Sequence, residues 1–184
     1  MSFTFNKLQI SGVFLIKPKI FYDNRGAFLE SYKISDFNKH GIPEILVQDS
    51  ISISKKGVLR GLHFQDPPME QGKLVSVLCG SIFDVMVDLR KSSQTFGKWL
   101  NVEISSTDRN ILWIPKGFAH GIQVLEDNTV VSYKMTHEYS PEHERGIVWD
   151  DPQLNIPWPI ANPTVSEKDS NLPKFNNIAK SDIG

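Results

Sequence analysis

Four side chains carry proton and charge chemistry in two short polar clusters of this chain. The first cluster is Gly57-Val58-Leu59-Arg60-Gly61-Leu62-His63-Phe64-Gln65, followed by Gln71-Gly72-Lys73 and Gly80; the second is Pro115-Lys116-Gly117-Phe118-Ala119-His120. An imidazole with an ordinary pKa of about 6.5 accepts a proton near neutral pH. An ammonium or guanidinium beside it, Lys73 or Arg60, stabilises an oxyanion that appears as the proton leaves. Together these groups favour abstraction of a proton next to a carbonyl, with the enolate oxygen held by Lys73. Taken alone, His63 reads as a satisfied core or rim histidine. With Arg60, Lys73 and His120 at these offsets, the functional reading takes precedence.

The elements that position these groups read as strands. Short runs rich in Val, Ile and Phe recur between turn signals at 14–16, 45–47, 51–53, 73–79, 82–89, 99–104, 111–114, 121–125 and 130–134. About nine strands with little helix is an all-β pattern. Gly80-Ser81 separates two of the strongest runs, which predicts a hairpin closed by a two-residue turn. Ser35 as N-cap and Gly41 as terminator predict one short helix between them. From residue 150 to 173 the chain holds five of the eleven prolines, and Trp149 and Trp158 lie at or within its bounds. This reads as an irregular tail draped over the core, with Ile156, Trp158 and Ile160 packing and the last dozen residues frayed.

The length of 184 residues, with 40% hydrophobic and 22% charged residues, fits one domain over residues 1–184, its core at about 13–149 and its tail at about 150–184. Twenty basic against 21 acidic residues give a net charge of -1, which makes nucleic acid a poor partner. The single cysteine, Cys79, excludes an internal disulfide and a multi-cysteine zinc site. Its apolar run makes it read as a small core hydrophobe in a reducing compartment. No segment has the length of a membrane span, and no export signal stands at the N-terminus. A cytoplasmic protein is expected.

The spacing of the two polar clusters resembles the paired motifs of the cupin superfamily, whose fold is a small jelly-roll barrel. In metal-binding cupins the first motif carries two histidines and a glutamate, and the second a further histidine. Here Gly57, His63 and Gly80 keep the first spacing, but Gln65 stands at the second histidine position and Lys73 at the glutamate position; His120 keeps the last. An ammonium repels a divalent cation. The resemblance therefore implies a metal-free, cupin-type jelly-roll barrel with short peripheral helices and a Pro-rich C-terminal tail.

Eight motifs in order resemble the dTDP-4-dehydrorhamnose 3,5-epimerase family of cupin-fold nucleotide-sugar epimerases. They are Asp23-Asn24-Arg25-Gly26-Ala27-Phe28-Leu29-Glu30, Val47-Gln48-Asp49, the stretch from Gly57 to His63, Gln71-Gly72-Lys73-Leu74-Val75, Asp84-Val85-Met86-Val87-Asp88-Leu89-Arg90, the stretch from Leu112 to Gly121, Tyr133-Lys134, and Ser166-Glu167-Lys168-Asp169. The resemblance covers about residues 13 to 173. It implies His63 as general base, Asp169 as the carboxylate that orients its imidazole, Tyr133 as general acid on the opposite face, and Lys73 near the keto oxygen. Inversion at carbon needs such a pair, because a lone base returns the proton to the face it came from.

The resemblance further implies Arg60, His120 and Glu144 in the substrate pocket, Tyr139 stacked on the thymine ring, and contacts from Phe28, Gln48, Asp49, Ser50 and Lys168. Arg25 and Glu30 would come from a neighbouring subunit in a homodimer with exchanged N-terminal strands. No cofactor is implied, and a rhamnose-containing surface glycan such as O-antigen would be the destination. One position departs from the family's usual Gln-Asp-Asn, since Ser50 stands where the asparagine does. The alternatives are therefore a one-carbon epimerase, a ketoisomerase or a 3,5-epimerase of another nucleotide-linked 4-keto sugar. A further alternative, of another class, is a non-catalytic sugar-binding cupin.

Overall fold

A computed structural model describes residues 2–42 and 45–180, the side chains of residues 179 and 180 excepted. Among the described residues are thirteen strands. They are β1 (Phe3–Lys7), β2 (Phe14–Pro18), β3 (Ile20–Asp23), β4 (Gly26–Leu29), β5 (Gln48–Ser54), β6 (Leu59–Gln65), β7 (Lys73–Cys79), β8 (Ser81–Asp88), β9 (Trp99–Ser105), β10 (Ile111–Ile114), β11 (Phe118–Val124), β12 (Thr129–Met135) and β13 (Glu144–Gly146). Three short helices accompany them: α1 (Ile34–Phe37), continued by a 3-10 turn at Asn38–His40, α2 (Glu167–Ser170) and α3 (Phe175–Lys180). One sheet runs β1-β2-β10-β7-β12-β5, a second β13-β6-β11-β8-β9, and β3 and β4 form a separate hairpin. Two antiparallel sheets packed face to face make the all-β jelly-roll barrel expected.

The period-two alternation of strands decides what each face carries. Inward residues of the six-stranded sheet, Val75, Val77, Leu112, Ile114 and Val131, meet Ile82, Met86, Phe118, Ile122 and Val124 of the five-stranded sheet in one apolar cluster. Outward residues of the five-stranded sheet, among them Leu62, Phe64, Phe83, Val85 and Val87, are covered by the tail through Ile147, Leu154, Ile156, Trp158, Phe175 and Ile178. Outward residues of the other sheet, Phe14, Ile16, Leu74, Ile111 and Trp113, pack under Phe37 and Ile42. With both faces of the five-stranded sheet covered, β8 and β11 read as near-continuous apolar runs rather than alternating ones.

Several expectations are corrected. The runs 73–79 and 82–89 are not a hairpin, because β7 pairs with β10 and β12 while β8 pairs with β11 and β9. Gly80 (φ +77°) instead carries the chain from one sheet to the other, and a Cβ there would lie 2.2 Å from the Thr129 hydroxyl. Residues 45–47 form no strand; Ile45 and Val47 are exposed while Leu46 packs on the core. Ser35 lies inside α1, whose N-cap is Lys33 without a side-chain cap, although Gly41 does terminate the segment in the left-handed region. Cys79 is exposed, since β7 bulges against β12 at its end and leaves the residue beyond the cover of the core. The expected fraying fails over residues 175–178, where α3 buries Phe175 and Ile178; residues 181–184 lie outside the described residues.

Candidate active site

At one end of the barrel the inward positions turn from apolar to polar and line a cavity of about 810 Å³. β6 supplies Arg60, His63 and Gln65, and β11 supplies His120, which is the cross-strand neighbour of His63; β7, in the six-stranded sheet, supplies Lys73. From that six-stranded sheet also come Tyr133 on β12 and Gln48, Ser50 and Ser52 on β5. Tyr139, Glu144, Ser166, Lys168 and Asp169 close the rim. His63 and Tyr133 therefore enter the cavity from different sheets.

Asp169 reaches the barrel because the tail runs alongside the start of β6, where the Leu59 amide donates to the Thr164 carbonyl at 2.9 Å. Ser166 caps α2 by accepting from the Asp169 amide, which aims the carboxylate inward. His63 Nε2 lies 2.8 Å from Asp169 Oδ1, and the Gly61 amide donates to Oδ2 at 3.1 Å. Burial alone would raise the Asp169 pKa, but the His63 contact and the Gly61 amide outweigh it and hold the carboxyl below its usual range. An ionised Asp169 accepting Nε2–H fixes the tautomer in which Nδ1 of His63 carries the lone pair. Glycine is required at 61: φ is +124°, and a Cβ would lie 2.5 Å from the Gly121 Cα.

Across the cavity, burial pushes the Tyr133 phenol up to about 12 despite its 3.3 Å contact with the Ser52 hydroxyl. Tyr133 is thus a protonated donor throughout the neutral range. Burial pushes Lys73 down to about 8, opposed by the charges of Asp84 and Glu144, and its ammonium donates to the His63 carbonyl at 3.4 Å. Below that pH it remains a cation. His120 Nε2 lies 2.9 and 3.0 Å from the two oxygens of Asp84, whose pKa is raised by burial against the opposing pull of His120 and Lys73. Arg60 is held by the Ser54 hydroxyl.

At the rim, Gln48 accepts from the Tyr139 amide at 2.6 Å and donates to Ser50 Oγ at 3.1 Å. The Tyr139 hydroxyl and the Lys168 ammonium both donate to Glu144 Oε2 at 2.5 Å. Burial opposes ionisation of Glu144, but Lys168 and Tyr139 outweigh it and lower its pKa. Gln65, at the position where the superfamily motif has a histidine, is turned to structure. It donates to the Met69 and Glu138 carbonyls and accepts from the Ser140 amide, fixing the segment that carries Tyr139. Among the described residues no three His, Cys, Asp or Glu side chains converge on a cation position.

Eleven of the fifteen residues expected from the sequence line this cavity. Asp49 does not, because alternation along β5 turns it outward, where it pairs with Lys134 at 2.6 Å. Arg25, Phe28 and Glu30 also lie outside the cavity lining, on or just after the β3–β4 hairpin. Among the described residues Arg25 bonds its neighbour Asp23 and is largely exposed, as is Phe28. Asp84, Ser52 and Ser166 were given no role by the sequence reading. Asp84 carries a legible signal, a carboxylate in an otherwise apolar strand run.

The family model described as dTDP-4-dehydrorhamnose 3,5-epimerase matches residues 7–177. The chain is 50% identical over 170 residues to a dTDP-4-dehydrorhamnose 3,5-epimerase of Shigella flexneri, covering 92% of this chain and 94% of that one. Its fold is similar to that of the dTDP-6-deoxy-D-glucose-3,5-epimerase of Legionella pneumophila, solved in complex with dTDP-4-keto-L-rhamnose. That similarity has a TM-score of 0.90 at 45% identity, over 95% of this chain and 93% of that one. A 3'-monoepimerase of Streptomyces bikiniensis, solved with dTDP-quinovose, is similar at 30% identity with a TM-score of 0.86, over 91% of this chain and 85% of that one.

Proposed function

Because this chain belongs to the dTDP-4-dehydrorhamnose 3,5-epimerase family and is an isomerase, we propose that it inverts carbons 3 and 5 of dTDP-4-dehydro-6-deoxy-D-glucose to give dTDP-4-dehydro-L-rhamnose. Nδ1 of His63 takes the proton from the carbon next to the 4-keto group, and Asp169 stabilises the imidazolium so formed. The C–H electron pair moves to the keto oxygen, and the Lys73 ammonium stabilises the resulting enolate. The Tyr133 phenol then returns a proton to the opposite face, which inverts the carbon. The same pair repeats the exchange at the second carbon. The observation that carries this reading is the entry of the His63–Asp169 pair and Tyr133 from opposing sheets of one cavity. No cofactor takes part in this chemistry.

The nucleotide is assigned to the rim. Tyr139, half exposed, offers a flat face to the thymine ring. Arg60 and Lys168 offer cations to the diphosphate without a metal. Arg25, Phe28 and Glu30 are assigned to the cavity of a second copy of this chain, in a homodimer with exchanged N-terminal strands. Two facts support that assignment: Phe21, Tyr22 and Phe28 are exposed on the β3–β4 hairpin, and Ile51 and Ile53 are exposed on β5. The setting proposed is the cytoplasm, and the product's destination a rhamnose-containing glycan such as O-antigen.

Incubation of the wild type with dTDP-4-dehydro-6-deoxy-D-glucose in D2O, followed by NMR of the sugar ring protons, tests the proposal. Deuterium entering at both carbons 3 and 5 is expected. Exchange at one carbon alone would reassign the chain to a mono-epimerase, a reading that the presence of Ser50 at the rim keeps specific. Exchange at neither would refute the reaction.

A further inference from the structure

Asp84 is a buried carboxyl group that the reaction as described leaves unused; burial raises its pKa, and His120 and Lys73 oppose that rise. It takes an inward position on β8 between Ile82 and Met86, both in the apolar core, and has no exposure to solvent. A carboxylate in such a place costs stability unless other groups make use of its charge. Both its oxygens accept from His120 Nε2, so the Nδ1 of His120 is left on the cavity side.

Lys73, on facing β7, has no carboxylate within ion-pair distance among the described residues; Asp84 and Glu144 act on it through space. Glu144, on β13, is already shared by Tyr139 and Lys168. Asp84 is therefore the anion that remains to balance the ammonium. The other groups around this centre are Tyr133 from β12, which faces both Asp84 and Arg60, and His63 from β6, whose carbonyl accepts from Lys73.

We propose that Asp84 is a positioning residue of the reaction: its carboxylate fixes the tautomer of His120 and keeps Lys73 an ammonium at the place where the enolate oxygen forms. This rests on the enolate reading above. The sign of the effect follows from charge. Removing a negative neighbour makes the Lys73 cation more costly, so Lys73 loses its proton at lower pH.

The test compares wild type with Asp84→Asn, which keeps the shape and removes the charge, by following deuterium uptake as a function of pH. The expected result for Asp84→Asn is a kcat/KM lower by at least about tenfold at pH 7 and an alkaline limb moved roughly one unit toward acid. Affinity for dTDP should stay within about threefold. An unmoved limb, or a loss of rate matched by an equal loss of dTDP affinity, overturns the proposal.

If the variant fails to fold, the Asp84 carboxyl carbon is titrated by NMR in wild-type protein labelled with 13C-aspartate. An ionised carboxylate at pH 7 is expected, and a neutral one overturns the proposal. This titration needs no turnover, so a failure of the Asp84 role is distinguishable from a failure of the epimerase reading, which wild-type exchange in D2O reports separately.

Discussion

Asp169→Asn isolates the part of the site that, in the proposed mechanism, makes His63 a base. The carboxylate accepts from two donors, His63 Nε2–H at 2.8 Å and the Gly61 amide at 3.1 Å, and only 4% of the residue is exposed. An asparagine has one acceptor oxygen for the two. The Gly61 amide cannot turn away from its strand, whereas the imidazole can exchange its tautomer. The amide oxygen therefore goes to Gly61 and the NH2 group faces His63, which moves the imidazole proton to Nδ1 and removes the lone pair from the cavity.

Loss of a hydrogen bond to a charged partner costs about 1.5–3 kcal/mol, or roughly 10- to 150-fold in rate, before the tautomer change is added. The expected outcome is a fall in kcat of at least about a hundredfold. Affinity for dTDP should stay within about threefold, because Tyr139, Arg60 and Lys168 are untouched. Ser166 still caps α2, so the melting temperature should fall by only a few degrees. The assay is the initial rate of deuterium uptake, with dTDP titration and thermal melting on the same preparations. A kcat within about threefold of wild type would refute the reasoning, as would a rate loss no larger than the loss of dTDP affinity.

Three other outcomes follow, two from Lys73 and one from Asp88. Wild-type kcat/KM should decline above about pH 8 as Lys73 loses its proton, and a profile flat to about pH 10 would contradict the role given to the ammonium. A lysine whose pKa is depressed on folding costs stability below about pH 8, and that cost is relieved as pH rises toward 10.5. Lys73→Met should therefore abolish turnover yet raise stability at pH 7 by about 1–3 kcal/mol, measured by urea unfolding. Burial favours the neutral form of Asp88, but Arg90, Ser93 and Thr95 outweigh it and hold its pKa at about 2. Its stabilising contribution is thus present above the ordinary aspartate pKa of about 4 and is lost as pH falls through about 2. Asp88→Ala, which strands these donors, should cost about 3 kcal/mol at pH 7 by urea unfolding. Equal stability of variant and wild type at pH 7 would rule this out.

The chemistry was more legible in the sequence than the strands that position it. His63, Lys73, His120 and Tyr133 are polar groups at fixed offsets from glycines, and alternation alone sends them to one face. β6 escaped the apolar-run criterion because Arg60, Gly61 and His63 interrupt it, although those residues are the reason the strand matters. The change of sheet at Gly80 looks like a hairpin in sequence because a Gly-Ser turn between two buried runs has the same local pattern in either case; only the pairing partners of β7 and β8 differ. Asp84 stands in a strand motif with no partner nearby in sequence. Its partner His120 is 36 residues away in sequence, and their contact depends on the pairing of β8 with β11. Arg25, Phe28 and Glu30 cannot be placed from one chain's pattern, since the assignment given to them requires a second copy.

The central claim is that proton removal and proton return are done by different groups on opposite faces of the sugar ring, and Tyr133→Phe in D2O tests it most directly. With His63, Asp169 and Lys73 intact, the account predicts that the variant still exchanges the first ring proton for deuterium at a rate within about tenfold of wild type, while formation of inverted product falls by at least about a hundredfold. Equal loss of exchange and inversion, or inversion at the wild-type rate without the phenol, would contradict it.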